Sequence, residues 1–190
     1  MILSDIDIKE YLKSGRLFIE NFSEDRIRAA WVDLSLGNEF KIFKMTKHPY
    51  IDVREPIDNT ETVVLDVDDT FILHPGEFIL GHVKESITIP DDLAAYVDGQ
   101  SSLGRIGMVV HITAGFVDPG FSGRLTLEMT NVGKLPVLIH PGMKICKLVF
   151  FKLSSPAEVP YNKRKDPKYL NQKTVEASMI HKDFNKTMSS

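Results

Sequence analysis

The spacing of apolar residues changes period along the chain. Near the start, Ile8, Tyr11 and Leu12 recur as one face of a helix would. Ser4 with Asp7 three residues later makes a capping-box-like start, and Gly15 supplies a stop. The pattern predicts a short amphipathic helix. From Trp31 the period becomes two: Val32, Leu34 and Leu36 alternate with Asp33, Ser35 and Gly37 in WVDLSLGNEFKIF. ETVVLDV, FILHPGEFILGHV, ESITIP, GMVVHITA, GRLTLEMT and PVLIHPGMKICKLVFFKL follow, each bounded by Gly, Pro, Asp or Asn. Many short strands at close spacing predict an all-β barrel or sandwich.

FILHPGEFIL (71–80) and VLIHPGMKIC (137–146) share an H-P-G step between apolar runs. Proline fixes φ and glycine accepts positive φ, so each reads as a hairpin corner, with His74 and His140 as turn residues. From about Pro156 the chain turns polar and rich in Lys and Asn. Such a tail is either disordered or folds over a ligand or a neighbouring subunit, and composition alone favours the first.

The chain has 190 residues and an apolar fraction of 43%, which fits one domain, or one domain with terminal extras. A formal net charge of −3 supplies no basic field for nucleic acid or an anionic membrane. Cys146 is the single cysteine, which excludes an intrachain disulfide and any site with several Cys ligands. There is no run of about eighteen apolar residues, and MILSDIDIKE is acidic rather than basic and then apolar. These features predict a soluble protein of the cytoplasm.

Two stretches carry candidate chemistry. GQSSLGRIG (99–107) sets two serines and Arg105 among three glycines. Such a backbone can converge its N–H groups on an anion while the side chains add donors and a cation. An ordinary glycine-rich turn is the alternative, and the Walker spacing is absent. In RLTLEMT, Leu125, Leu127 and Met129 take one face, and Arg124, Thr126, Glu128 and Thr130 the other. Glu128 either sits on a solvated face or meets His111 and Asp118, which the preceding loop AGFVDPGFSG could bring to it. Metal chemistry finds little support. One cysteine cannot supply the P-C-x-x-C of zinc deaminases, no H-E-x-x-H occurs, and the six histidines are scattered. Cys146, in an apolar strand, reads as core packing.

These stretches resemble the dCTP deaminases, which share a fold with the trimeric dUTPases. The likeness begins at MILSDIDIKEYLKSGRLFI, runs through VDLSLGNEF and HPGEFILG, is densest from Gly99 to Met129, and resumes at PYNKRKDPKYLNQK. It implies a mainly β, distorted dUTPase-like barrel over 1–155 with a short N-terminal helix. A C-terminal tail, 156–190, would close over the nucleotide site and order on triphosphate binding. It also implies a homotrimer with active sites shared between subunits.

Residue by residue, the resemblance implies that Gln100, Ser101, Ser102, Leu103, Gly104 and Arg105 hold the triphosphate, joined by Tyr161, Lys168 and Gln172 from the tail. Ile112, Ala114, Thr126 and Leu127 would read the base. Asp118 would meet the deoxyribose and a water, and Glu128 would be the catalytic base, with His111 in support. The implied substrate is dCTP, with Mg2+ held by the nucleotide rather than by protein ligands, no zinc, and dTTP as an inhibitor.

Some members release dUTP, and others cleave it on to dUMP. Gly115 and Phe116 in T-A-G-F-V-D are similar to the dUMP-forming members, a glycine there freeing room beside Asp118 for a second water. Release of dUTP, dUTP hydrolysis alone and a non-catalytic nucleotide sensor are the alternatives. Gln100, Lys147 and Trp31 depart from the usual pattern: Gln100 replaces a cation, and Lys147 restores charge if it faces the pocket.

Overall fold

The computed structural model describes residues 1–45, 50–57, 59–66 and 68–184. Helix α1 (Asp5–Lys13) starts as its sequence predicts. Asp7 Oδ2 accepts the Ser4 N–H at 3.0 Å, and Ser4 Oγ accepts the Asp7 N–H at 3.4 Å. The reciprocal bonds satisfy donors that a helix start leaves without partners. Ile8 is fully buried and ties α1 to the core.

The strands are short, as the turn residues between them require. They are β1 (Phe18–Ile19), β2 (Val32–Ser35), β3 (Glu39–Phe43), β4 (Thr60–Val64), β5 (Phe71–Leu73), β6 (Phe78–His82) and β7 (Ile87–Thr88). After β8 (Leu93–Gly99) comes a single helical turn, α2 (Ser101–Gly104). Then follow β9 (Met108–Val109), β10 (Phe116–Val117), β11 (Ser122–Gly123), β12 (Thr126–Asn131), β13 (Val137–Ile139) and β14 (Lys144–Lys152). The sheets are β10-β8-β14-β2, β4-β3-β6-β12-β9 and β1-β7-β11, with a ribbon β13-β5. Phe40, Leu127, Phe150 and Ile87, drawn from all three sheets, are fully buried in one hydrophobic cluster. The fold is mainly β, as the patterning predicts.

Two local expectations need correction. The alternation in β2 does not divide a core face from a wet one, because Asp33 and Ser35 are buried as well. β2 pairs with β14 on one edge, and on the other it meets backbone at Ile27 and Lys84 together with charged side chains. Asp33 accepts from Arg28 Nε at 2.9 Å, Trp31 Nε1 at 3.1 Å, Lys144 Nζ at 3.2 Å and Gln100 Nε2 at 3.3 Å. The Ser35 N–H donates to Glu85 Oε2 at 3.0 Å, and Arg26 bridges Ser35 Oγ and Glu85. Internal partners make this polar burial tolerable.

The H-P-G steps are turns but not hairpins. The Glu77 N–H meets His74 O at 3.1 Å and the Met143 N–H meets His140 O at 3.2 Å, with Gly76 and Gly142 at positive φ. The strands before the two turns pair with each other, Val137 opposite Leu73 and Ile139 opposite Phe71. β6 and β14 leave the turns for different sheets. Each step is therefore a corner between layers.

The tail is docked on the sheets at several points between Tyr161 and Val175; residues 185–190 of the expected tail lie outside the described residues. The Tyr161 N–H donates to Pro119 O at 2.7 Å, Asn171 N–H to Ser122 O at 2.7 Å, and Arg124 N–H to Gln172 O at 2.8 Å. Val175 is buried, with its N–H on Glu39 Oε1 at 3.2 Å. Gly123, at φ +134°, permits the approach: a Cβ there would lie 2.7 Å from Gln172 N.

Candidate active site

Period two along β12 decides which side chains can do chemistry. Leu127 and Met129 are fully buried, while Thr126, Glu128 and Thr130 lie half-buried on the other face. That face borders a cavity of about 340 Å3. Glu128 and Thr126 meet there His111, Ala114, Phe116 and Asp118 from the chain between β9 and β11, and Tyr161 and Gln172 from the tail. Leu80, Val97, Val117, Phe121 and Leu125 supply apolar wall. A flat ring with a polar edge suits apolar walls bearing a few convergent polar groups.

Glu128, Asp118, Thr126 and Tyr161 each have a protein partner in or beside the cavity. The Thr113 N–H and hydroxyl both donate to Glu128 Oε2, at 3.2 and 3.1 Å. His111 Nδ1 accepts a long bond from the Glu128 N–H at 3.5 Å, and its Nε2 is buried with no partner among the described residues. Asp118 Oδ2 lies 3.1 Å from Arg164 Nη1. Gln172 Nε2 donates to Thr126 Oγ1 at 2.5 Å, and Tyr161 OH accepts the Tyr169 N–H at 2.9 Å.

Other expected site residues lie elsewhere. Ser101, Ser102, Leu103 and Gly104 form α2, capped by Arg105, and none of these five lines the cavity. Ser101, Ser102 and Arg105 are exposed. Gln100 Nε2 is turned to Asp33 and, at 3.4 Å, to Cys146 O, so its donor is committed inside the fold. Lys147 does not face the pocket either. Its Nζ is 3.0 Å from Asp98 Oδ2 and 5.4 Å from the Trp31 ring centroid. Lys168 pairs with Asp183 at 2.5 Å. Ile112 is exposed and the Leu127 side chain is buried in the core, and neither lines the cavity. Cys146 is fully buried, and burial pushes its thiol up, consistent with core packing.

Gly115 needs a different explanation from the one its sequence suggests. A Cβ there would lie 2.9 Å from the Tyr96 ring and 2.9 Å from Val97 O. The volume a side chain would take is filled by protein, not left for a water. Phe116, by contrast, lines the cavity and is 60% exposed.

Sequence reasoning missed Thr113, and it missed Arg124, Tyr169, Glu176 and Ser178 in the cavity wall. Arg124 was findable, since it shares the alternating face of Thr126 and Glu128. The tail residues carry no local signal.

A family model described as dCTP deaminase-like matches residues 2–153. The chain is 50% identical over 188 residues to "dCTP deaminase, dUMP-forming" of Dictyoglomus thermophilum, covering 97% of both chains. It is 46% identical over 191 residues to the protein of the same name from Methanosphaera stadtmanae, covering 96% of this chain and 95% of that one. In three dimensions it is similar to the 2'-deoxycytidine 5'-triphosphate deaminase of Agrobacterium tumefaciens, with a TM-score of 0.62 at 22% identity. That match spans 78% of this chain and 47% of the other, so it speaks to the fold alone.

Proposed function

The chain belongs to the dCTP deaminase-like family, and on that premise we propose that it is a dCTP deaminase that carries its product on to dUMP. The observation that carries this reading is likeness along nearly the whole chain to relatives named for that reaction, at 50% identity over 97% of both lengths. The cavity supplies the chemistry.

In the first step, water adds to the ring carbon that bears the amino group. Glu128 takes one proton from that water and passes it to the ring nitrogen, then takes the second from the new hydroxyl and passes it to the amino group, which leaves as ammonia, so dCTP and water give dUTP and ammonia. Thr113 holds one Glu128 oxygen, leaving Oε1 to work as the base. Backbone groups near Ile112 and Ala114, with Thr126 and Leu127, hold the base edge, and His111 Nε2 offers one more polar contact. In the second step a water beside Asp118 attacks the α-phosphate, and dUTP and water give dUMP and diphosphate.

Ser101, Ser102 and Arg105 serve the phosphates in this reading. They lie outside the cavity of their own chain, which favours a homotrimer in which α2 of one copy completes the cavity of the next. Tyr161, Lys168 and Gln172 add tail contacts, with Lys168 first leaving Asp183. Mg2+ in this reading is carried by the oxygens of the triphosphate and by water, the hard ligands it prefers. Inhibition by dTTP at the same site and a cytoplasmic location belong to the same proposal. Among the described residues no helix is long and apolar enough to cross a membrane.

The test is to incubate the protein with dCTP and Mg2+ and resolve nucleotides over time. Formation of dUMP and diphosphate with little free dUTP is expected. Accumulation of dUTP would overturn the second step alone, and absence of any product would overturn both.

A further inference from the structure

Arg164, in the tail, reaches a carboxylate of the cavity, and neither the cavity wall nor any sequence motif singles it out. The tail is seated on the turn after Asp118. The Tyr161 N–H donates to Pro119 O at 2.7 Å, and a side chain at Gly120 would lie 2.7 Å from both Asn162 Oδ1 and Pro160 Cβ. Gly120 sits at φ +79°, so the turn both requires a glycine and receives the tail. From that seat the chain returns Arg164 over the Tyr161 ring, 5.3 Å from its centroid. Its Nη1 reaches Asp118 Oδ2 at 3.1 Å. The Tyr161 ring in turn packs on buried Phe121, centroids 6.1 Å apart. The guanidinium is thus held by an aromatic face and a carboxylate at once.

A bland reading is available: a half-exposed ion pair, screened by water, adds little to stability. That same weakness makes its geometry the interesting part. The terminal torsion of an aspartate is broad unless a partner fixes it. Arg164 takes Oδ2 and leaves Oδ1 as the oxygen for a sugar hydroxyl or a water. Glu128, by contrast, is held by the neutral donors of Thr113. Each of these two carboxylates therefore has its own clamp.

We propose that Arg164 is a positioning residue for Asp118, setting the carboxylate for the hydrolysis of dUTP rather than for deamination. The proposal rests on the dUMP-forming reading. Lysine reproduces this only in part, because its ammonium is a point charge without the planar guanidinium that lies over Tyr161 while one nitrogen meets Asp118.

The experiment compares wild type, Arg164→Lys and Arg164→Gln under single turnover with dCTP and Mg2+, following dCTP, dUTP and dUMP, with a thermal melt of each. For Arg164→Gln the dUTP share of product should rise about tenfold, short of the roughly hundredfold loss that a 1 Å misplacement can cause. Loss of dCTP should slow by less than about threefold, melting should be unchanged, and Arg164→Lys should fall between. A wild-type product ratio in Arg164→Gln would overturn the proposal, as would equal slowing of both steps with lowered melting. If wild type itself releases only dUTP, the dUMP-forming reading has failed on its own. Asp118 then acts on the deoxyribose alone, and an unchanged KM for dCTP in Arg164→Gln would overturn the positioning role.

Discussion

Thr113 grips one oxygen of Glu128 twice, with its backbone N–H at 3.2 Å and its hydroxyl at 3.1 Å. Two donors on Oε2 orient the carboxylate and leave Oε1 to take a proton. Thr113→Val keeps the shape and the backbone bond but removes the hydroxyl. Deamination should then lose about tenfold in kcat with KM little changed, as expected for one hydrogen bond to a charged group. Glu128→Gln should still bind nucleotide while ammonia release falls by at least about a hundredfold, the scale of a positioned acid–base group. A normal rate in either variant removes the role given to it.

Gly115 is required by packing. Its carbonyl accepts the Val97 N–H at 2.7 Å, and the place of its missing side chain is occupied by the Tyr96 ring and Val97 O. A ring can move aside but a strand carbonyl cannot do so cheaply. Gly115→Ala should therefore destabilise the protein by about 1–3 kcal/mol, the range for overpacking. Adding Tyr96→Ala should recover part of that loss, since neighbouring substitutions couple. Urea denaturation of both variants checks this, and a wild-type midpoint for Gly115→Ala would contradict the packing account.

The legible parts of the fold are those governed by local rules. The face of β12 that carries Glu128 follows from period two alone, and the α1 start follows from Ser4 and Asp7. The pairing of β5 with β13 was not legible, because register between segments more than sixty residues apart leaves no mark in either. Alternation also misread β2, since a polar residue met by Arg28 or Arg26 looks the same in sequence as one facing water. Tail docking runs through backbone bonds at Ser122, Arg124 and Pro119, which have no side-chain signature. The separation of α2 from the cavity reflects the fold of one chain, where the resemblance implies a site built from several.

Asp33 should make stability depend on acid. Burial pushes its carboxyl up, but hydrogen bonds from Arg28, Lys144, Trp31 and Gln100 together outweigh burial and hold it below the usual range. A depressed carboxylate contributes stability that is whole above its unfolded pKa of about 3.9 and is lost as pH falls through the folded value. Asp33→Asn should be less stable than wild type at neutral pH, because Arg28 and Lys144 lose their partner. The difference should shrink as pH falls below about 4. Denaturant midpoints at pH 7 and pH 3 measure it, and a constant difference would exclude Asp33 as the titrating group.

Gln100 joins that cluster to the turn that carries Ser101 and Ser102. The resemblance makes it a phosphate contact, whereas its amide nitrogen lies 3.3 Å from Asp33 Oδ1 and 3.4 Å from Cys146 O. Those bonds are long and shared, so each is weak, yet together they leave no donor pointing outward. Gln100→Leu should therefore lower stability by about 1 kcal/mol, the typical net worth of a hydrogen bond. Its KM for dCTP should stay within about twofold, well short of the factor of ten that 1.4 kcal/mol of lost binding would give. The opposite pattern, unchanged melting with KM raised about tenfold, would return Gln100 to the phosphates. Lys147 supplies the control. It is bound to Asp98 and stacked near Trp31, so Lys147→Met should spare KM and lower stability through β8 and β14. A rise in KM for Lys147→Met alone would show that Lys147 turns to the nucleotide once substrate is bound.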